Sequence, residues 1–184
     1  QLLDDGFSVD CVKISLCHKQ VSDDDLAELA GMSNLHALDL EGTPITDAGL
    51  AHLCGLSTLQ RLDLSGTLVS DAGLDQIEPL KGLRRLFLAD TAITDAGLLR
   101  VKRFTHLDRL SLRGTKITNA GLALVADLRE LASLDLSFTR ITDKGLIHLK
   151  QLTGLEELDL TGTRVSSAGV RALVRVLPKT EIML

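Results

Sequence analysis

A period of 24 residues constrains the fold of this chain more than any other feature of its sequence. Leucines recur in three columns that give each unit the pattern L-x-x-L-x-L, and a threonine follows three residues after the last leucine. The last leucines are Leu40, Leu64, Leu88, Leu112, Leu136 and Leu160, and the threonines are Thr43, Thr67, Thr91, Thr115, Thr139 and Thr163. A regular period of this length predicts stacked copies of one small unit, because a single unit cannot bury its own apolar face.

The first half of each unit predicts a β-strand and the second half a short helix. In L-x-x-L-x-L the last two leucines are separated by one residue that is mostly polar, which is the periodicity of a strand with one buried face. The second half reads ITDAGL, VSDAGL, ITDAGL, ITNAGL, ITDKGL and VSSAGV in successive units from residue 45 onward. Its Ser or Thr is a typical helix N-cap, and Asp47 and its counterparts would favour the positive helix end. The glycine of this segment, such as Gly49, indicates a close approach of helix and sheet where a Cβ would clash.

The combined pattern resembles the leucine-rich repeats of the ribonuclease-inhibitor-like class over residues 11–184. It is similar to the threonine-type repeats of bacterial proteins and to the repeats that follow F-box segments in eukaryotes. The resemblance implies an α/β fold, a right-handed leucine-rich-repeat solenoid (horseshoe) with a concave parallel β-sheet and convex helices. We expect an N-terminal flank or cap at 1–10, where Leu2, Leu3 and Phe7 would cover the first unit. Seven repeats of 24 residues would follow at 11–178, and a final edge strand at 179–184.

The composition restricts the class of partner and the compartment. The net charge is −5 and the chain has no Trp and no Tyr, so the basic surface and base-stacking aromatics of a nucleic-acid binder are missing. A membrane partner is not expected, since no apolar run approaches the ~20 residues of a spanning helix. The cysteines Cys11, Cys17 and Cys54 have no paired spacing, which favours a reducing compartment such as the cytoplasm over a disulfide framework. Cys11 and Cys17 also lack the partners of a zinc motif.

Two columns of strand residues face away from the predicted core and line the concave face. The first column is Lys13, Ala37, Arg61, Arg85, Arg109, Ser133, Glu157 and Glu181. The second column is Ser15, Asp39, Asp63, Phe87, Ser111, Asp135, Asp159 and Met183. Arginines therefore stack on three successive strands beside one phenylalanine, with acidic residues on both flanks. Like charges on neighbouring strands repel one another, and the carboxylates of a partner would relieve that repulsion.

These columns define a candidate partner-binding site on the concave face. Arg113 adjoins the arginine column, while Asp90 and Phe138 stand at a position where the other units from Gly42 onward have glycine. The candidate residues are Arg61, Arg85, Phe87, Arg109, Arg113, Asp63, Asp90, Asp135 and Phe138. Two simpler interpretations stand beside this one. Asp63 and Asp108 could neutralise the arginines within the chain, and Phe138 could be a local packing residue at a turn.

No arrangement of residues predicts catalysis, a cofactor or a metal site. The five histidines are scattered over the repeat, and none has a Cys, Ser or Asp partner in the frame of a nucleophile–base pair. Cys17, near His18, would be an inert thiol, because nothing visible would lower its pKa. The aspartate column of the helix start is explained by capping and not by cation binding, since Asn119 and Ser167 occupy the same position.

The sequence therefore predicts a protein–protein interaction module and not an enzyme. It would bind a protein or peptide of acidic or mixed charge on its concave face. A substrate-recognition arm of a larger ligase-type or effector protein is one alternative, and a structural spacer is another. The final edge strand could also support self-association, because an unpaired strand edge recruits other strands.

Overall fold

Eight parallel strands form one open sheet in the computed structural model, which describes residues 12–184. Their order in the sheet is their order in the chain, so each repeat adds one strand beside the previous one. The strands are β1 Val12–Ser15, β2 Leu35–Asp39, β3 Arg61–Asp63, β4 Arg85–Phe87, β5 Arg109–Ser111, β6 Ser133–Asp135, β7 Glu157–Asp159 and β8 Glu181–Met183. This arrangement confirms the predicted open solenoid. The predicted N-terminal flank, with Leu2, Leu3 and Phe7, and also Cys11 lie outside the described residues.

Short helical segments follow the strands, as the sequence predicts. The α-helices are α1 Asp47–Leu50, α2 Gly73–Gln76, α3 Asp95–Val101, α4 Asn119–Val125 and α5 Ser167–Val174. The segments Asp24–Leu29, Ala51–Leu53 and Gly145–Gln151 are 3-10 helices. Within residues 12–184, no helix has the length and apolar character needed to cross a membrane.

The predicted N-caps are present at α1, α3, α4 and α5, whereas α2 and the segment Gly145–Gln151 begin without a side-chain cap. Thr46, Thr94 and Thr118 have extended backbones, and each hydroxyl oxygen accepts a hydrogen bond from the amide two residues later. Ser166 caps α5 in a similar way by accepting from the amide of Gly169. Each cap satisfies a backbone donor that the first helical turn leaves unpaired.

The leucine columns form a continuous core between the sheet and the helical segments. Strand leucines such as Leu38 and Leu62 are fully buried, and so is Phe104, which stands where other repeats have leucine. The threonine column supports the turn after each strand. Thr43 Oγ1 donates to the carbonyl oxygen of Leu40 at 2.6 Å. The same bond is made by Thr67, Thr91, Thr115, Thr139 and Thr163, so each hydroxyl pairs with a backbone carbonyl of the turn.

In five repeats a carboxylate at the start of the helical segment binds the next repeat. Asp47 Oδ1 accepts from the Ser70 amide at 2.7 Å, and Asp47 Oδ2 accepts from the Ser70 hydroxyl at 2.6 Å. We call such pairs inter-repeat clamps. They also join Asp23 to Thr46, Asp71 to Thr94, Asp95 to Thr118 and Asp143 to Ser166. Asp47 does lie in the first turn of α1, but the capping interpretation of this column missed the contact between repeats.

The glycine column makes room for these carboxylates. A Cβ on Gly73 would overlap with Asp47 Oδ1, and a Cβ on Gly97 would overlap with Asp71 Oδ1. The next nearest atoms are side-chain atoms as well, such as Leu50 Cδ1 at 3.1 Å from the Gly73 Cβ position. A Cβ would clash here, as the sequence predicts, but not with the sheet. The close neighbour is the aspartate of the preceding repeat, whose side chain fills the space above the glycine.

Candidate functional site

The predicted arginine column lies on the outward face of the sheet. Arg61 aligns in register with Arg85, and Arg85 aligns with Arg109, on three adjacent strands. Phe87 aligns with Asp63 in the second column. Parallel neighbouring strands lie about 4.8 Å apart, so the long arginine side chains share one surface. The structure thus brings these five predicted residues together.

Arg61 and Phe87 contact each other across neighbouring strands. The guanidinium carbon of Arg61 lies 4.8 Å from the ring centroid of Phe87, which is within the range of a cation–π contact. Arg61 Nη2 also lies 3.9 Å from Asp63 Oδ2. Because Phe87 is only half-buried, it leaves an apolar surface in the middle of a mostly polar column.

Asp108 lies between two arginines, as the self-neutralised interpretation of the surface expects. Its Oδ2 is 3.4 Å from Arg84 Nη1, and its Oδ1 is 3.8 Å from Arg85 Nε. Asp108 Oδ1 is buried and accepts no hydrogen bond from any residue in the range 12–184. The separation from Arg85 exceeds the 2.7–2.9 Å of a charge-assisted hydrogen bond, so this pairing is loose.

Arg109 differs from the other members of the column. Its side chain is exposed, and the described part of the chain offers it no ion pair. It borders a pocket of about 160 Å³ on the face of the sheet. The pocket is lined by Phe87, Arg109, Leu110, Ser111, Ser133 and Asp135. A cationic head group therefore stands beside an apolar ring at the centre of the sheet.

Asp135 lines the same pocket but does not neutralise Arg109. Its Oδ2 accepts from Ser111 Oγ at 3.0 Å. Its Oδ1 accepts from the Ser137 amide at 2.9 Å and from Ser137 Oγ at 2.7 Å. Arg113 Nη1 donates to the same Ser137 hydroxyl at 3.2 Å. These bonds fix Asp135 as a structural acceptor at the edge of the pocket.

The turn after each strand requires a left-handed backbone. Gly42, Gly66, Gly114 and Gly162 have φ between 65° and 69° at this position. Three repeats use another residue there, with φ of 56° at His18, 54° at Asp90 and 57° at Phe138. Side chains at these three positions lie over the glycine of the next repeat. Such residues carry backbone strain that glycine avoids.

Phe138 is an exposed ring that packs against the turn of the next repeat. It is 53% exposed, and its ring faces the Arg113 guanidinium carbon at 4.3 Å. A Cβ on Gly162 would lie 2.8 Å from Phe138 Cδ1, so the ring rests on the backbone of the next turn. Asp90, in the equivalent position, hydrogen-bonds through its amide to the carbonyl oxygen of Arg113 at 2.8 Å. These three residues, Arg113, Asp90 and Phe138, therefore lie together at the C-terminal ends of the central strands.

Carboxylates gather at the N-terminal end of the sheet. Oxygen atoms of Asp39, Glu41 and Asp63 lie within 4.8 Å of one another. Burial raises the pKa of Asp63, and the negative charges of Asp39 and Glu41 add to the rise, while hydrogen bonds from Ser65 oppose it. The acidic flank that the sequence predicts is therefore present beside Arg61.

Cys17 contacts this acidic group. Partial burial raises the pKa of the Cys17 thiol, and the carboxylates of Asp39, Glu41 and Asp63 raise it further. The thiol is thus not activated, as the sequence predicts. However, the ligating atoms of Cys17, His18 and Glu41 lie within 4.8 Å of one another. His18 and Glu41 are thus possible metal-ligating neighbours of Cys17, which the expectation that Cys17 lacks the partners of a zinc motif did not include.

The other histidines offer no nucleophile–base pair in residues 12–184. His106 Nδ1 lies 3.1 Å from Glu130 Oε1, on an exposed surface. His36 Nδ1 lies 2.7 Å from the carbonyl oxygen of Asn34. Neither contact includes a hydroxyl or thiol, so neither resembles the relay of an acyl-transfer enzyme.

Comparison with known proteins identifies a family whose sequence pattern matches this chain. A family model described as a leucine-rich repeat matches the chain at residues 31–54, 55–77, 129–150 and 151–174. Together these segments span half of the chain. No curated protein matches the sequence.

Solved structures of two internalins share the fold. Internalin C2 from Listeria monocytogenes superposes with a TM-score of 0.67 at 22% identity, over 94% of this chain and 80% of that one. A second internalin of Listeria monocytogenes, inlF, gives a TM-score of 0.62 at 20% identity, over 94% of this chain and 60% of that one. At this level of identity the likeness concerns the architecture alone.

Proposed function

Because the chain belongs to the leucine-rich repeat family, in general a family of protein-interaction modules, we propose that it binds a protein partner through the concave face of its sheet. Stacked repeats of this kind expose an extended sheet surface on which many side chains reach a partner at once. The centre of that surface is the group Arg61, Arg85, Phe87 and Arg109. Arg113 and Phe138 extend this surface to the C-terminal ends of the strands.

The charge distribution supports an acidic partner segment. The arginine column occupies β3, β4 and β5, while carboxylates such as Asp39 and Glu157 lie on the strands to either side. A segment that carries Asp or Glu at its centre would meet opposite charge there. Arginine binds carboxylates through two parallel donors, which makes the contact strong and directional.

One observation carries this proposal, namely the exposed Arg109 beside the pocket at Phe87. The pocket of about 160 Å³ suits one side chain of a partner, and the arginine offers it an ionic contact. Binding hot spots combine an apolar anchor with an arginine in this way. The loose pairs at Asp63 and Asp108 leave the arginine column able to exchange intramolecular contacts for contacts with a partner.

A quantitative affinity capture with charge-matched variants tests the proposal. Arg109→Glu changes the site, whereas Arg140→Glu makes the same charge change at an exposed arginine outside the strands. Phe87→Ala tests the apolar contact separately, and circular dichroism shows whether each variant is folded. We expect a partner that is retained by the wild type and by Arg140→Glu to be lost with Arg109→Glu. Titration of that purified partner should show at least about tenfold weaker binding to Arg109→Glu and to Phe87→Ala.

The alternatives predict other outcomes in the same experiment. A structural spacer would tolerate both charge reversals, and its captured proteins would be the same for every variant. A recognition arm of a larger ligase-type or effector protein would bind its substrate through the same arginines, so the full-length protein would show the same loss. Equal binding of one partner to the wild type and to Arg109→Glu would refute a site on this face.

A further inference from the structure

Three side chains with metal-ligating atoms converge at the end of the sheet formed by β1 and β2. Cys17 Sγ, a ring nitrogen of His18 and a carboxylate oxygen of Glu41 lie within 4.8 Å of one another. The Cys17 thiol donates to Glu41 Oε2 over 3.8 Å. Cys17 and Glu41 are 24 residues apart and occupy equivalent places in consecutive repeats. The stacking of repeats therefore creates a set of ligands that has no local motif in the sequence.

The backbone holds the two turns of this group in register. The Leu16 amide donates to the carbonyl oxygen of Asp39 at 2.8 Å, and the His18 amide donates to that of Glu41 at 2.7 Å. His18 has a left-handed backbone with φ of 56°, and its ring lies across Gly42, where a Cβ would overlap with Nδ1. The lack of a Cβ at Gly42 thus leaves room for the imidazole beside Cys17 and Glu41.

The donor types select the class of metal ion. A thiolate, an imidazole and a carboxylate together suit zinc, whereas calcium and magnesium prefer oxygen ligands alone. Asp39 and Asp63 lie next to Glu41, and their negative charge favours a cation at this place. Zinc sites with three protein ligands leave a fourth position for water or for a further ligand.

We propose that Cys17, His18 and Glu41 form a Zn²⁺ site, with one ligand atom from each residue. Zinc ligands lie about 2.0–2.3 Å from the metal, so the three side chains must rotate towards one another. His18 and Glu41 are exposed, which leaves their side chains free to rotate. When the sulfur coordinates the ion, the thiol proton leaves to solvent. The bound ion would connect the first two described turns and stabilise this end of the solenoid.

Calorimetric titration of ZnCl₂ into the protein without an affinity tag tests the site, with Co²⁺ as a spectroscopic probe. The parent protein carries Cys11→Ser and Cys54→Ser, so that Cys17 is the remaining thiol. We expect one ion per chain and a thiolate-to-cobalt charge-transfer band in the near ultraviolet. The melting temperature of the parent should rise on addition of Zn²⁺, because a ligand that binds only the folded state stabilises it.

Single substitutions of the ligands decide the outcome. Cys17→Ser should abolish the charge-transfer band, and His18→Asn should weaken Zn²⁺ binding while it keeps a residue that tolerates the left-handed backbone. Loss of an outer-shell partner already weakens metal binding by roughly 10–100-fold, so loss of a ligand, including in Glu41→Gln, should cost at least as much. His52→Asn is the matched control and should bind like the parent. Absence of a Co²⁺ band in the parent, or equal Zn²⁺ affinity in Cys17→Ser, would overturn the assignment.

Discussion

Asp71 of one repeat binds both the backbone and the side chain of Thr94 in the next, 2.8 Å from the amide and 2.6 Å from the hydroxyl. Thr94 is at the same time the N-cap of α3. A single carboxylate therefore positions the residue that starts the neighbouring helix. The stability of one repeat thus depends directly on a side chain of the repeat before it.

Removal of this carboxylate should destabilise the protein. We expect Asp71→Ala to lower the free energy of unfolding by about 2–3 kcal/mol, because two partly buried hydrogen bonds to a charged acceptor are lost. Asp71→Asn should cost less, since Asn119 makes the equivalent two contacts with Thr142 at 3.0 Å and 2.8 Å. Urea denaturation followed by circular dichroism measures both variants. An equal loss for Ala and Asn would contradict this role of the clamp.

Gly97→Ala should destabilise the protein, although alanine normally favours a helix by up to about 1 kcal/mol. The added Cβ would overlap with Asp71 Oδ1 and displace it from Thr94, at an expected net cost of about 1–2 kcal/mol. In the Asp71→Ala background the same change should become neutral or favourable, which a double-mutant cycle measures. Gly55→Ala is the control, since nothing lies within 4 Å of its Cβ position. Additive effects of the two substitutions would rule out the proposed clash.

The clamp at Asp143 should make stability depend on pH. Hydrogen bonds from the hydroxyl and the amide of Ser166 lower the pKa of Asp143 below its usual value of 3.8. Since the folded state binds the proton less readily than the unfolded state, the contribution is present above the usual pKa. It disappears as the pH falls through the lowered value. Asp143→Asn should therefore show a flatter dependence of unfolding free energy on pH below about 4 than the wild type, as urea titrations at several pH values would reveal. Parallel curves for the two proteins would argue against this contribution.

Phe138→Gly should leave the stability of the fold nearly unchanged. The substitution relieves a left-handed backbone that costs an L-residue about 1–2 kcal/mol. It also loses the contact with Arg113, worth about 0.5–1 kcal/mol at an exposed site, and adds flexibility to the unfolded chain. Phe104→Ala, in the buried core, should instead cost about 3–5 kcal/mol. Thermal unfolding compares the two variants, and a loss above about 2 kcal/mol for Phe138→Gly would show that its ring is structural after all.

The periodic features of the fold are those that the sequence predicts best. The leucine and threonine columns predict the parallel register, because equivalent positions in stacked units must be neighbours. The same logic places Arg61, Arg85 and Arg109 on one surface, and their alignment confirms it. The positions of the N-caps follow from local chemistry, since Ser and Thr before a helix act within a few residues.

Contacts between different columns could not be read from periodicity. Asp47 binds Ser70, which is 23 residues away and not 24. The clamp therefore joins two different positions of the repeat, and columns of equivalent residues do not reveal it. The neighbour of the helix glycine was misidentified for the same reason. The side chain that excludes a Cβ at Gly73 is Asp47, which belongs to the preceding repeat. The grouping of His18 with Glu41 is another contact between different positions, and it depends on a left-handed turn that histidine rarely adopts. The exposure of Phe138 also follows from this backbone, which turns the ring along the solenoid surface instead of into the core.

The inter-repeat clamps have a consequence for how such a gene can change in length. A unit of this array presents Asp, or Asn at position 119, to the next unit and a hydroxyl with its amide to the preceding one, so its two ends are complementary to each other. An in-frame duplication or excision of 24 residues within the array therefore regenerates a matching junction wherever the cut falls. A change that is not a whole multiple of 24 residues leaves an acceptor without its donor at the new junction. Because of this Asp–Thr contact, we expect insertions and deletions in the array to be tolerated in steps of one whole repeat.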